Sequence, residues 1–372
     1  MTIAAVQSAD SLDGCFPSHP TEDGGLEDEL LFRTQPDGIL VRVYRQDIRN
    51  RAEWGTAISW RGWTLQEQLL SPRLVLCMQP EIHWQCRTSY KTQSGVSFPL
   101  GSMLKSNNAV VPWRGLRHDD REYHSFWRRI VLGYSWREFS YSRDRIPAIA
   151  GITRFFASAH VLDDEPILGL WSKSFARDLA WLRHNRPPQM SDTTGLPSWT
   201  WFASPGGVLY NFGAKYEDTD KGVVETLKLL AWDVQWQGVP FTSPVRSAQA
   251  TVMGPARNIR IVPFDLGNRH MPPYFQVFDE NLQPAEDRKI PWRCTGRFDA
   301  GDTTVPGTYL CLQLFTEPRD LDYCSKREAF LILEPVEMDS GGLPRYKRVG
   351  LGRIWGEPPT FGSASTISLI LV

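Results

Sequence analysis

The densest hydrophobic patterning lies between residues 62 and 86. Trp63, Gln66, Glu67 and Leu70 recur at the three- and four-residue spacing of one helix face, which predicts a short helix from Gly62 to Leu70. Pro72 stops it. Beyond the stop, Leu74 and Leu76 alternate with Val75 and Cys77, Gln79-Pro80 makes a turn, and Ile82, Trp84 and Cys86 alternate with His83, Gln85 and Arg87. The expectation is helix, break and β-hairpin, with Cys86 in the core and His83 at the surface.

Helical spacing returns after Asp119-Asp120, where Tyr123, Phe126, Trp127, Ile130, Val131 and Tyr134 form a wide apolar stripe. Pro147 suits the first position of another helix, with Ile149, Ile152, Phe156 and Ala159 facing one way. A third helix is expected from Ile167 to about Arg183, carrying Leu168, Trp171, Phe175, Leu179 and Leu182. The polar tract from His184 to Gly195 breaks the pattern.

From Leu196 onward, Gly, Pro and Asp clusters separate short runs that read as strands: Ser198 to Phe202, Thr226 to Gln235, Gln249 to Met253, Tyr309 to Leu314 and Ala329 to Leu333. Periodicity alone does not separate the second of these from a helix. The chain thus reads as α+β. Residues 1–90 hold the helix and hairpin with a Gly/Asp/Glu-rich loop from Glu22 to Glu29, residues 91–195 a helical segment, and residues 196–372 a β-rich sandwich or barrel.

Composition narrows the class. At 372 residues the chain is long enough for two or three packed units, and 15 Trp favour large buried contacts over a disordered linker. A formal net charge of −1 predicts no general attraction to nucleic acid or to a membrane surface. The cysteines at 15, 77, 86, 294, 311 and 324 are scattered with no Cys-x-x-Cys pair, so reduced thiols are expected and neither a disulfide framework nor a metal site is indicated. No run approaches the ~18 apolar residues of a spanning helix. The N-terminus lacks the basic flank and apolar stretch of a signal peptide, and a cytoplasmic location follows.

The stretch Arg61-Gly-Trp-Thr-Leu-Gln-Glu-Gln-Leu-Leu-Ser-Pro-Arg73, with Trp84-Gln-Cys86 after it, resembles the signature of the fungal heterokaryon incompatibility (HET) domain. The matching positions are Arg61, Trp63, Gln66, Glu67, Leu69, Leu70, Ser71, Arg73, Trp84 and Cys86. Thr2-Ile-Ala-Ala5, Ser8-Ala-Asp-Ser11 and Gly14-Cys-Phe16 upstream are similar to the same family. So are Tyr134-Ser135, Arg143 to Gly151, Gly169-Leu-Trp171, Pro197-Ser-Trp-Thr-Trp201 and Tyr346 to Gly350 downstream. The opening Tyr-x-x-Leu-Ser-Tyr-x-Trp-Gly strand of the family does not occur, so the resemblance makes residues 1–90 the C-terminal half of a HET domain, a partial α/β (TIR-like) fold.

That resemblance implies non-self recognition and programmed cell death through protein partners or self-association, with a small molecule also possible and no cofactor indicated. Some TIR domains cleave NAD with a catalytic glutamate. An alternative is a cytosolic HET-like protein recruited to a secondary-metabolite pathway as an enzyme or accessory factor.

No nucleophile elbow, phosphate loop, dinucleotide fingerprint or zinc-protease motif occurs. Glu67 is the catalytic candidate, since a carboxylate against the Trp63 indole can be tuned for proton transfer; pairing with Arg61 or Arg73 is the structural alternative. Gln66 suits a buried hydrogen-bonding role. Arg143 and Arg145 before the Pro147 helix suit an anion site, or else local pairs while Asp144 caps the helix. Ser198 has no identifiable His and Asp partners.

Overall fold

The structure, a computed structural model, describes residues 1–6, 8, 14–15, 29–33, 40–44, 57–77, 82–86, 89–93, 95, 97–99, 120–159, 164–184, 195–210, 222–264, 274–278, 294–299, 305–317, 327–336, 342–355 and 359–372. The turn at Gln79-Pro80, the acidic loop before Glu29, Ala9 to Ser11, Phe16, Arg87, Asp119, residues 185–194 and Cys324 lie outside them. The fold is mixed α+β, with few helices and a β-rich C-terminal region. The chain divides into two compact units, Met1–His118 and Asp119–Val372.

The first unit contains β1 (Thr2–Ala5), β2 (Glu29–Arg33), β3 (Leu40–Tyr44), α1 (Ala57–Trp60), α2 (Gly62–Leu70), β4 (Arg73–Cys77), β5 (Ile82–Cys86), β6 (Ser89–Thr92) and β7 (Ser97–Pro99). Its sheet runs β1-β4-β5-β6-β7, with β1 parallel to β4 and the others antiparallel, while β2 and β3 form a separate hairpin. Helix α2 has the expected bounds, and it has no side-chain cap at its N-terminus. Instead Thr64 Oγ1 donates to the Ile58 and Arg61 carbonyls, tying the end of α1 to the first turn of α2. At the other end Ser71 Oγ donates to the Glu67 carbonyl, one of the groups a helix C-terminus leaves unpaired.

One expectation about facing is corrected here. On β5 the buried side chains are His83 (3% exposed) and Gln85 (8%), whereas Ile82, Trp84 and Cys86 are half-buried. Register is the cause: His83 lies opposite Leu76 and Gln85 opposite Leu74, and these leucines, with Ala4, Val6 and Tyr90, own the covered face. Tyr90 makes the buried imidazole tolerable by bonding its Nδ1. On α2 the buried residues are Gly62, Thr64 and Leu69, so the face of Trp63 and Glu67 points outward and the opposite face packs.

The second unit opens with α3 (Asp120–Ser135) and α4 (Pro147–Ala159), close to the expected helices. Phe156 of α4 meets Tyr123, Phe126 and Trp127 of α3 at ring-centroid distances of 4.9, 5.7 and 5.3 Å. The expected third helix is not formed. Its residues make β8 (Pro166–Ile167), β9 (Leu170–Trp171), the single-turn α5 (Phe175–Asp178) and β10 (Leu182–Arg183). A two-residue hairpin turn at Leu168 and Gly169, with φ of +46° and +87°, interrupts any helix there. Ser198 to Phe202 is likewise no strand but a turn leading into a 3₁₀ helix, Trp201–Ala203. Thr200 Oγ1 accepts from the Phe202 N–H and so starts that helix.

The remaining strands are β11 (Val208–Leu209), β12 (Val224–Glu225), β13 (Lys228–Trp236), β14 (Val245–Phe264), β15 (Tyr274–Phe278), β16 (Cys294–Phe298), β17 (Gly307–Glu317), β18 (Arg327–Pro335), β19 (Arg345–Trp355) and β20 (Ser365–Leu371). The long β14 pairs with β20 and β17, and the pairings β17–β18, β18–β19 and β19–β20 close a ring of five strands. Ile259, Ile261, Tyr309, Cys311, Phe330, Ile332 and Ile354 pack together as a core of these strands. Gly352 is needed beside it, because a Cβ there would overlap the Phe330 ring. Outside the ring, β13 lines the first part of β14, with Leu230 50% and Trp232 38% exposed.

Candidate functional site

The family-like motif lies on α2 and the strands after it. Trp63 is 42% exposed, and Arg61, Glu67 and Arg73 are exposed as well. Gln66, Ser71, Trp84 and Cys86 are half-buried. Ser71 already donates to the Glu67 carbonyl, so its second contact, 2.6 Å to Thr2 Oγ1, is one in which Thr2 donates. Cys86 Sγ lies 3.4 Å from Ser89 Oγ. The desolvated carboxylate expected at Glu67 is therefore absent: the helix turns the acid to solvent, and among the described residues no ion pair joins it to Arg61 or Arg73. Alternation does keep His83 and Cys86 on opposite faces of β5, with burial the reverse of that expected.

The downstream landmarks converge on one buried hub in the second unit. Trp127 Nε1 and Trp201 Nε1 both donate to the Gly169 carbonyl, at 2.8 and 2.9 Å, and Thr200 Oγ1 donates to the Leu168 carbonyl at 2.6 Å. These bonds hold a leucine at positive φ, a conformation that costs of order 1–3 kcal/mol. Tyr134 Oη donates to the Arg145 carbonyl, and Arg145 donates to the Phe202 and Ser204 carbonyls. Burial pulls the Arg145 guanidinium down to about 10, against the raising influence of Tyr134. Arg143, by contrast, is exposed over the Tyr141 ring, so the two arginines do not form one anion site, and Arg145 reaches the 3₁₀ helix rather than a local partner.

A second arginine closes the hub on the barrel. The Arg348 guanidinium stacks 3.4 Å from the Trp181 ring centroid and donates to Asp299 through Nε and Nη2, at 2.8 and 3.2 Å. Its other donors reach the Leu179 and Trp181 carbonyls. Ser198 Oγ accepts from the Arg348 N–H and donates to the Val372 carbonyl, a structural use of both capacities.

Residues that the sequence did not single out form a buried ionisable group in the second unit. His124 Nε2 sits 2.6 Å from Asp164 Oδ2, and Asp164 Oδ1 accepts from Ser172 Oγ and the Lys173 N–H at 2.7 and 3.0 Å. Burial pushes Asp164 up, but these hydrogen bonds together hold it below the ordinary carboxylate value. One helical turn from His124, Arg128 reaches Asp178 at 3.2 Å, and Asp178 also accepts from Ser174 Oγ and the Trp171 N–H. Desolvation dominates at Asp178 and leaves its pKa raised, offset in part by Arg128. Arg177 pairs with Glu225 at 2.7 Å.

This group contains serine, histidine and aspartate, yet its order is wrong for nucleophilic chemistry. Ser172 and His124 both point at the carboxylate, whereas a relay needs the imidazole between acid and hydroxyl. The arrangement fixes the β8–β9 segment to α3. The signal that could have found it is the i, i+4 spacing of His124 and Arg128 beside the apolar stripe. Among the described residues no three metal-ligating side chains converge, and no helix is long and apolar enough to cross a membrane. The chain is thus a two-unit α+β protein with an exposed motif helix in one unit and a tryptophan–arginine hub in the other. Comparison with protein-family models, with curated proteins and with solved structures finds no match.

Proposed function

We propose that this is a HET-like protein of fungal non-self recognition and programmed cell death, cytoplasmic, and acting through protein contacts or self-association rather than through chemistry at Glu67. The observation that carries the reading is the exposure of Arg61, Trp63, Glu67 and Arg73 on and beside α2. An indole with two-fifths of its surface in water and charges of both signs around it suits a contact surface, where Trp and Arg supply anchors. The parallel pair β1–β4 with α2 leading into β4 supports the finer assignment of a partial α/β, TIR-like domain. Exposed Leu230 and Trp232 on β13 support partner binding by the second unit.

Forced expression in a filamentous fungus tests the reading. Cells accumulating the folded wild-type chain are expected to arrest or die, and Trp63→Ala is expected to relieve that toxicity with unchanged thermal unfolding. Normal growth of cells holding high levels of the folded wild-type protein removes the proposal.

A further inference from the structure

The second unit carries a two-stranded arm that extends beyond its ring of strands. Leu227 and Ala250 are buried, but none of residues 228–249 is, although β13 and β14 pair along that whole stretch. Strand β20 reaches β14 only from Ala250 onward, and among the described residues β13 pairs with β14 alone, so the arm is two strands wide. Such a ribbon is marginally stable in water until a third strand or an apolar cover is added. Its tip is nevertheless fixed: the Gln237 N–H donates to the Pro244 carbonyl at 2.9 Å and the Gly238 N–H to Ser243 Oγ at 3.0 Å, while Phe241, at a φ of +63°, folds over the Trp236 ring with centroids 5.1 Å apart.

The arm is amphipathic. Past the bulge between Leu229 and Ala231, directly opposed residues share a face: Trp232, Val234 and Trp236 with Ala250, Ala248 and Val245 make an apolar side, and Asp233 and Gln235 with Gln249 and Ser247 a polar one. Along the polar side Gln235 Nε2 donates to Asp233 Oδ1 at 2.6 Å. About Val234 the run Trp232-Asp-Val-Gln-Trp236 alternates alike in both directions, indole for indole and amide for carboxylate. A strand with that symmetry is complementary to itself across a twofold axis.

We propose that this arm is the docking surface for a second copy of the chain, through antiparallel pairing of the two β13 edges centred on Val234. The pairing sets Val234 against its own copy, Trp232 against Trp236 and Asp233 against Gln235, so each carboxylate meets an amide and no two like charges face one another. Main-chain hydrogen bonds of the added strand hold the contact, and the two partly exposed apolar sides merge into one. A contact this short belongs to the weak class, so the dimer forms and dissociates with concentration. It specifies the surface for the self-association proposed above and rests on that reading, yet assembly is measured on purified protein and toxicity in cells, so either can fail without the other.

Sedimentation velocity of the purified full-length chain over a range of concentrations tests the pairing. The expected result is a monomer–dimer equilibrium. Val234→Lys sets two ammonium groups against each other at the axis, and Gln235→Asp sets a carboxylate against Asp233 on both sides of it; each is expected to weaken the dimer roughly ten-fold or more. Adding Asp233→Lys to Gln235→Asp restores opposite charges across the axis and is expected to restore the dimer. Gln235 is exposed, so Gln235→Asp decides the matter if Val234→Lys does not fold. Under mild oxidation Val234→Cys is expected to link to its own copy, whereas Ala231→Cys, held away from its own copy by the register, is not. A chain that stays monomeric at high concentration overturns the proposal, as does an assembly that survives Gln235→Asp undiminished or one that Ala231→Cys links as readily as Val234→Cys.

Discussion

The tryptophans and arginines of the buried hub in the second unit and those of the motif helix in the first have opposite fates. In the second, Trp127, Trp181 and Trp201 give their N–H groups to backbone carbonyls, and Arg145 and Arg348 do the same with their guanidinia. In the first, Trp63, Arg61 and Arg73 stand at the surface. The same residue types therefore serve as internal fasteners in one place and as outward groups in the other. What decides is backbone supply: a two-residue turn with positive φ and a 3₁₀ helix leave buried carbonyls that need long donors, whereas α2 satisfies most of its own.

The strongest way to break this contrast is to remove a fastener. Arg348→Met leaves the half-buried Asp299 without this ion-pair partner; breaking a fully buried pair costs about 3–5 kcal/mol, and the low end of that range is expected here. Chemical denaturation of the variant is expected to show that loss. A change below about 1 kcal/mol would mean that the stacked guanidinium is ornamental to the second unit. Gly169→Ala comes next, at about 3 kcal/mol, because its Cβ overlaps the Trp201 indole and alanine resists φ of +87°.

A smaller effect is read from the pH dependence of the second unit. The folded-state pKa of Asp164 is depressed, so its contribution is present above an unfolded value of about 4 and is lost as pH falls through the lower folded value. Asp178, Asp299 and Glu328 are raised, chiefly by burial, and act with the opposite sign: their contributions are complete below the unfolded values and fade as pH rises through the folded ones. Asp164→Asn is expected to cost about 1–3 kcal/mol near neutrality, with the gap to wild type closing as the solution becomes acidic. Urea midpoints from neutral pH to below pH 4 provide the measurement; a gap independent of pH would detach Asp164 from the acid limb.

Much of the scaffold was legible because it is periodic. Helix α2, the apolar stripe of α3 and Pro147 at the start of α4 each follow from local spacing and breakers, and the run expected from Thr226 to Gln235, whose period left helix and strand open, forms the strand Lys228–Trp236. The failures share a cause. Leu168, Trp171, Phe175 and Leu179 do have helical spacing, but Thr200, Trp127 and Trp201 pin a turn in their midst, and those donors are remote in sequence. Likewise, alternation along β5 was visible while the choice of buried face was not, since Leu74 and Leu76 of a neighbouring strand make that choice through register. Arg348 and Asp299, 49 residues apart in the chain, meet only when β16 pairs with β19, so no local spacing announced the pair.

The smallest stability effect tests the other side of the contrast. Trp63→Ala and Glu67→Gln alter exposed side chains of α2, away from Gly62, Thr64 and Leu69, and are expected to change unfolding free energy by no more than about 0.5 kcal/mol each. In a filamentous fungus the same changes are expected to diminish the toxicity of the expressed chain, Trp63→Ala more than Glu67→Gln, because the indole offers the larger anchor. Equal loss from Glu67→Gln and from Glu67→Ala, with Trp63→Ala still fully toxic, would point instead to chemistry at the carboxylate. A marked drop in stability for Trp63→Ala would place the indole among the fasteners, and the distinction between the two units would no longer hold.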